Sequence, residues 1–311
     1  MSFLAIYLRG MAMGAADIVP GVSGGTVAFI TGIYEPLLNS IKSLNPSALQ
    51  LLWLQGFKAF WRHINGPFLS ALLLGMASSI ILFAGLISHL LEAQPLLIWS
   101  FFFGLIAASA LHMARQINHW NLSGAFFLLL GLVVAYGFTE MKPSELTATP
   151  LLVFAAGSIA ICAMILPGIS GSFMLLLMGL YSPILLAFKE FNIVILVSFI
   201  AGCGVGILSF AHLLSGLLSR FYAQTMSVLT GFLIGSLNLV WPWKQTLSYY
   251  SNSKGRPLAL EQQNVLPQQF AELTGLASEL VYCSLLALFA VVFVLLLEKK
   301  AGKSGNASKK I

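Results

Sequence analysis

Charge is what this chain most lacks. Asp, Glu, Lys and Arg make up 8% of its 311 residues, and aspartate occurs once, at Asp17. Soluble domains carry about 25% charged residues. Cysteine is scarce as well. Cys162, Cys203 and Cys283 lie far apart in apolar segments, which argues against a disulfide framework and against a metal site. No cleavable signal peptide is expected, because the first apolar run, Phe3 to Leu8, is short and lacks a basic lead. The net charge of +6 does not point to nucleic acid. Five of the 16 basic residues, Lys299, Lys300, Lys303, Lys309 and Lys310, follow Glu298 in a tail suited to a cytoplasmic face beside anionic lipid.

What is present is apolar. Hydrophobic residues make up 58% of the chain, Phe alone occurs 23 times, and the mean hydropathy is +0.91. No single core hides that much apolar surface from water, so the solvent is lipid. Runs able to cross about 30 Å fall at 68–91, 96–114, 122–139, 192–215, 225–243 and 278–297. Two further apolar regions, 11–40 and 150–188, are each interrupted by a Pro-Gly pair, Pro20-Gly21 and Pro167-Gly168. Proline removes a helix donor and glycine lets the backbone turn away. Broken backbone at membrane depth is tolerated only when buried in protein or lining a cavity. Each region therefore reads as a helix–break–helix hairpin, re-entrant or crossing fully twice.

The two broken regions repeat one another. With Pro20 set on Pro167, Ile18 meets Ile165, Gly21 meets Gly168, Ser23 meets Ser170, Gly24 meets Gly171, Gly32 meets Gly179, Tyr34 meets Tyr181 and Pro36 meets Pro183. A second register sets Gly75 on Gly202, Gly104 on Gly231 and Ser109 on Ser236, the difference being a longer loop around 41–67. The expected fold is an all-α polytopic membrane protein built as an inverted-topology repeat, each half one hairpin plus three spans. The first repeat covers 1–145, the second 146–297, and 298–311 form a basic cytoplasmic tail. With both termini in the cytoplasm, Arg9, Lys42, Lys58, Arg62, Arg115, Arg220 and the tail lysines face inward. Lys142, Lys189, Lys244, Lys254 and Arg256 face outward, with Glu92, Glu140, Glu145, Glu190, Glu261 and Glu272. That asymmetry obeys the positive-inside rule. Inverted repeats with matching broken helices are a signature of secondary transporters, with the substrate site near the midplane. Close packing of small residues alone would not require a duplicated break.

After each break comes a small polar cluster, Ser23-Gly24-Gly25-Thr26 and Ser170-Gly171-Ser172. Free amides at a helix start, glycines that admit an anion and hydroxyl donors are the chemistry of phosphate or carboxylate binding. Helix capping by Ser23 and Ser170 is compatible with it. No lysine follows the glycines, so this is not a Walker loop. Asp17, before the first break, and Glu35, closing the hairpin, are candidates for carrying a coupling proton or Na⁺, or, for Asp17, for pairing with Arg9. Met164 and Ser182 replace them in the second half. His89 and His212 read as interior histidines, Arg115 and Arg220 as span ends, Trp241 and Trp243 as interfacial aromatics, and 244–276 as an external loop.

The stretch Gly14–Thr26, with Gly32-Ile33-Tyr34-Glu35 and with Leu166–Ser172, resembles the PopT-type polyprenyl-phosphate translocases over about residues 5–297. The resemblance implies a flippase of the bacterial inner membrane. It would return undecaprenyl phosphate, the C55 lipid carrier, from the outer to the inner leaflet for cell-envelope synthesis. It would use Asp17, Ser23, Gly24, Gly25, Thr26, Glu35, Ser170, Gly171 and Ser172 along the head-group path. Coupling to H⁺ or Na⁺ would rest on Asp17 and Glu35. No cofactor is implied; the partners are the lipid substrate and the membrane, and a homo-oligomer is compatible. Two other readings stand beside it: a transporter of a small soluble anion, and an intramembrane lipid phosphatase. The second is disfavoured because no His or basic cluster adjoins either motif.

Overall fold

In the computed structural model, residues 2–19, 21–117, 120–144, 146–251 and 257–308 are described. From the N-terminus, α1 (Phe3–Ile18) leads through the first break to α2 (Gly24–Ile30) and α3 (Tyr34–Lys42). Two short helices, α4 (Pro46–Gln55) and α5 (Phe57–His63), precede α6 (Gly66–Ala93), α7 (Pro95–Arg115) and α8 (Leu122–Glu140). The order then recurs as α9 (Pro150–Ile165), α10 (Gly171–Leu177), α11 (Tyr181–Lys189), α12 (Ile193–Arg220) and α13 (Tyr222–Ser236). An antiparallel pair, β1 (Lys244–Ser251) and β2 (Pro257–Asn264), and α14 (Pro267–Thr274) come before α15 (Leu280–Ser308).

Among the described residues, five helices are long and apolar enough to cross a bilayer: α6, α7, α8, α12 and the Leu280–Leu297 part of α15. The pair α10 and α11, bent by 105°, makes a sixth if it is counted as one span. The chain is a multi-pass membrane protein.

Four of the matching helix pairs have equal lengths. Both α1 and α9 have 16 residues, α2 and α10 have seven, α3 and α11 have nine, and α6 and α12 have 28. The turns match too. Gly21 and Gly168 sit at φ 82° and 87°, Gly32 and Gly179 at 70° and 69°, all in the left-handed region that a side chain disfavours. Pro20 lies outside the described residues; Pro167 is buried in the second break.

Glycines also fix how the helices pair. A Cβ on Gly75 would collide with the Tyr7 carbonyl, and one on Gly202 with the Phe154 carbonyl; Gly10 meets Leu72 as Gly157 meets Phe199. So α1 lies backbone-close and parallel to α6, and α9 to α12, as small-residue stripes allow in lipid. Because α1 and α6 start on the same side, the chain between them must return to the side it entered. The same holds between α9 and α12. The remaining helices exchange partners between halves. Gly104 of α7 abuts Ala287 of α15, and Gly231 of α13 abuts Leu128 of α8. The main cluster of buried apolar residues joins both halves, from Val22 and Ile33 to Met226 and Leu233.

Four expectations change. The span expected at 225–243 stops at Ser236, because Leu237, Asn238 and Leu239 tighten into i→i+3 turns and Pro242 offers no amide. The 244–276 loop, expected in an all-α chain, contains β1, β2 and α14; its ladder runs from Lys244 opposite Asn264 to Ser251 opposite Pro257. The long loop near 41–67 contains α4 and α5. Asn45 caps the Ala48 amide, and Trp53, Leu54 and Phe57 stay exposed, as in a helix lying on a membrane surface. Trp243 is buried rather than lipid-facing. Its Nε1 donates to the Ser278 carbonyl, while Trp241 donates to Val265, so the pair fastens the extramembrane segment to the bundle.

Replacing Gly75 or Gly202 by Leu should overpack a backbone contact, at about 1–3 kcal/mol or more. Gly85→Leu, where a Cβ meets open space, should be neutral. Thermal melts in detergent test this; a Gly75→Leu protein melting with the wild type would refute the close pairing.

Candidate functional site

The two breaks hold each other. A helix that stops at Ile165 leaves its last carbonyls without amide partners, and lipid supplies none. The first half supplies them. Ser23 Oγ lies 3.1 Å from the carbonyl oxygens of both Met164 and Leu166, and Tyr34 Oη donates to the Ile165 carbonyl at 3.1 Å. In the other direction, the Gly168 amide donates to Thr26 Oγ1 at 3.1 Å. Ser23 and Thr26 are buried, at 1% and 0% exposure, so water does not compete for these bonds. Gly25 permits the approach, since a Cβ there would fall 2.6 Å from the Ile165 carbonyl oxygen.

Ser23 also accepts from the Gly25 amide at 3.1 Å, capping α2 as its residue type predicts. The Gly24 amide is taken by Asp17, whose Oδ1 accepts it at 2.7 Å. Asp17 Oδ2 is buried with no hydrogen-bond partner among the described residues. The amides and hydroxyls expected to await an anion are therefore engaged in the first half, and a carboxylate of the chain itself occupies the first amide. In the second half Met164 stands beside Gly171 where Asp17 stands beside Gly24. There Ser170, buried, makes no side-chain cap, and its hydroxyl pairs with that of exposed Ser172 at 2.9 Å.

The structure separates Glu35 from Asp17. Glu35 is exposed in the first turn of α3 and lines a cavity of ≈ 200 Å³ with Asn39, Ser215 and Ser219. His89 is exposed, and His212 is exposed with Nδ1 2.8 Å from the Leu208 carbonyl of its own helix, so neither is the interior histidine expected. Both sit on outer faces of long helices, where period alone does not reveal the side. The histidine near the breaks is His112, whose ring packs edge-on against Phe29 of α2. Arg115 and Arg220 end their helices exposed, as expected.

Two larger cavities reach the interlock. A polar one of ≈ 670 Å³ runs from the β-hairpin to Gly21, lined by Thr139, Glu140, Asn238, Lys244 and Asn264 among others. An apolar one of ≈ 530 Å³ reaches Leu166, lined by Phe127, Phe210, Phe221, Val228 and Phe232. Helices α8 and α13 run parallel, with Gly131 against Val228 and Gly235 against Leu132. Phe127 and Gln224 mark one end of that pair, and Thr139 and Asn238 the other. The cavities lie at opposite ends of it.

Residues 13–258 match the family model described as undecaprenyl phosphate translocase-like. The chain belongs to that family. It is 52% identical to a "Polyprenyl-phosphate transporter" of Vibrio cholerae serotype O1, across 97% of this chain and 98% of that one. It is 30% identical to a protein of the same name from Staphylococcus aureus, across 76% of this chain and 85% of that one. Both relatives are named as transporters and neither as an enzyme. No solved structure matches the chain.

Thr26→Val keeps the side-chain shape but leaves the Gly168 amide without its acceptor. That should destabilise the protein by about 1–3 kcal/mol, while Thr26→Ser should melt near the wild type. Equal melting of Val and Ser variants would contradict the interlock.

Proposed function

We propose that the protein moves a polyprenyl phosphate, undecaprenyl phosphate in the bacterial inner membrane, from the outer to the inner leaflet. Its two halves form an inverted repeat with both termini in the cytoplasm. The phosphate passes between the two breaks while the isoprenoid tail stays in lipid. The observation that carries this reading is the interlock with a cavity at each end. A polar cavity reaches Gly21 from the end that the charge pattern assigns to the outside, and an apolar one reaches Leu166 from the other. The apolar cavity favours a lipid over a small soluble anion, which would have no use for it. The equal helix lengths and the swapped α7–α15 and α13–α8 pairings support the repeat, and the family's named transporters support the substrate.

In this reading the closed interlock parts during transport. Ser23 then exchanges the Met164 and Leu166 carbonyls, Thr26 the Gly168 amide, Gly25 the Ser23 hydroxyl and Gly24 the Asp17 carboxylate for phosphate oxygens. Ser170, Gly171 and Ser172 serve from the facing side. Hydrogen bonds to a phosphate are charge-assisted and, at Ser23, Gly25 and Thr26, replace neutral ones, which makes the exchange affordable. Asp17 is the coupling group. Its carboxylate holds the Gly24 amide that the phosphate needs, and a proton on Oδ2 would remove the buried charge and weaken that hold. Glu35, exposed at a separate cavity of ≈ 200 Å³ beside Ser215 and Ser219, lies on the path to the inner leaflet, where a released proton would reach the cytoplasm.

The test is a head-group exposure assay in proteoliposomes loaded with undecaprenyl phosphate, read with an external phosphate-specific probe. Wild-type protein should exchange head groups between leaflets and respond to an imposed pH gradient. Asp17→Asn, which keeps an oxygen for Gly24 but cannot titrate, should lose the response to the gradient. An Asn variant with the wild-type response would remove Asp17 from coupling, and a response to Na⁺ alone would replace the proton. No exchange by folded wild-type protein would overturn the translocation reading.

A further inference from the structure

Lys244 has no role in the interlock, yet its setting is unusual for a lysine. It opens β1 just after the turn that ends α13, and its side chain points into the protein rather than into water. Nζ donates to the Leu239 carbonyl and sits 5.0 Å from the centre of the Trp99 ring. It lies between two cavities, the ≈ 670 Å³ one that reaches Gly21 and a second of ≈ 370 Å³ lined by Gln94, Phe270 and Glu279. No ion pair with a carboxylate accompanies it among the described residues. The charged groups facing it are Glu140 across the first cavity and Glu279 across the second. Glu140 is exposed and tied to Asn238, whose Nδ2 donates to its Oε1 at 2.8 Å. Asn238 also bonds Thr139, at 2.7 Å, and accepts from Asn264 at 2.7 Å. A hydrogen-bonded polar wall thus shares this cavity with one half-buried cation. A charge withdrawn from water usually has a partner; here the described residues supply a carbonyl dipole and a ring face.

We propose that this cavity is the docking port for a phosphate monoester before it reaches the interlock, with Lys244 as its counter-ion. The inference rests on the transport reading above and names the residue where the head group enters. The cavity has one wall on the β-hairpin and its floor at Gly21, so an anion held by Lys244 already adjoins the first break. Phe173 and Leu176 of α10 complete the wall on the side of the second hairpin. Burial holds the Lys244 ammonium down to about 8, well below the usual lysine range, because the charged form lacks water. A docked anion would return what burial took away. Below that pH the lysine is charged and the site is ready; above it the charge and the affinity are lost together.

Full-length protein in nanodiscs, titrated with undecaprenyl phosphate, undecaprenol and inorganic phosphate, tests the port. Trp emission serves as the readout, since Trp99 lies under the ammonium. Wild type should bind the phosphorylated lipid and not the alcohol. Lys244→Gln should weaken binding tenfold or more. Lys244→Arg, which stays charged, should keep binding and lose the fall in affinity above about pH 8. A merely structural lysine would not give that pH signature. Equal affinity of the Gln variant, or an alkaline fall unchanged in the Arg variant, would overturn the port. Wild-type translocation measured with the same protein in proteoliposomes separates the two ideas: transport intact with Lys244→Gln binding like wild type sinks the port alone. Binding of inorganic phosphate but not of the lipid, with Lys244 still required, would support an anion site and sink the lipid reading instead.

Discussion

Backbone groups in lipid have no water to bond, and this constraint organises the molecule. A chain that breaks a helix at membrane depth must satisfy the stranded carbonyls and amides with other protein. Here side chains of the first break do so for the backbone of the second. The carbonyls of Met164, Ile165 and Leu166 meet Ser23 and Tyr34, and the amide of Gly168 meets Thr26. The second break is not self-sufficient, so the two halves must close on each other. The same bonds that close the centre must open if a polar head group is to pass. The place that is hardest to build is therefore also the place best suited to a gate. Asp17 extends the logic, since its carboxylate stands on the Gly24 amide inside the closed form.

Around that centre the packing is made by glycine. In lipid, apolar side chains gain little by leaving one apolar surface for another, so helices associate through close approach. Gly10 and Gly75 seat α1 on α6, and Gly157 and Gly202 seat α9 on α12. These rigid pairs leave α7, α8, α13 and α15 to cross between halves. Parallel α8 and α13 carry the two cavities at their opposite ends, one polar and one apolar. A lipid with a charged head and a long tail presents the same two chemistries.

Much of this was legible in the sequence because glycine and proline carry backbone information that does not depend on context. The doubled Pro-Gly pairs located both breaks, and Gly21, Gly32, Gly168 and Gly179 took the left-handed conformations expected of turn glycines. Long apolar runs located α6, α7, α8, α12 and α15. Other features depend on neighbours distant in sequence and could not be read. Ser23 and Thr26 were recognisable as polar groups after a break, but not that the other break would occupy them. The exchange of α15 and α8 between halves leaves no local trace. Lys244 read as one more external cation; its burial follows from Trp99, 145 positions earlier, and from the fold of β1 and β2, whose polar sequence resembled a loop. His89 and His212 misled because helices that are apolar all round do not reveal their inner face.

The central claim is that the two breaks separate when substrate arrives. The most direct measurement places spin labels on Thr31, at the end of α2, and on Met178, at the matching end of α10, and records their distance distribution in nanodiscs. Undecaprenyl phosphate should add a second, longer population that undecaprenol does not. A single unchanged distance in labelled protein that still translocates the lipid would contradict the account.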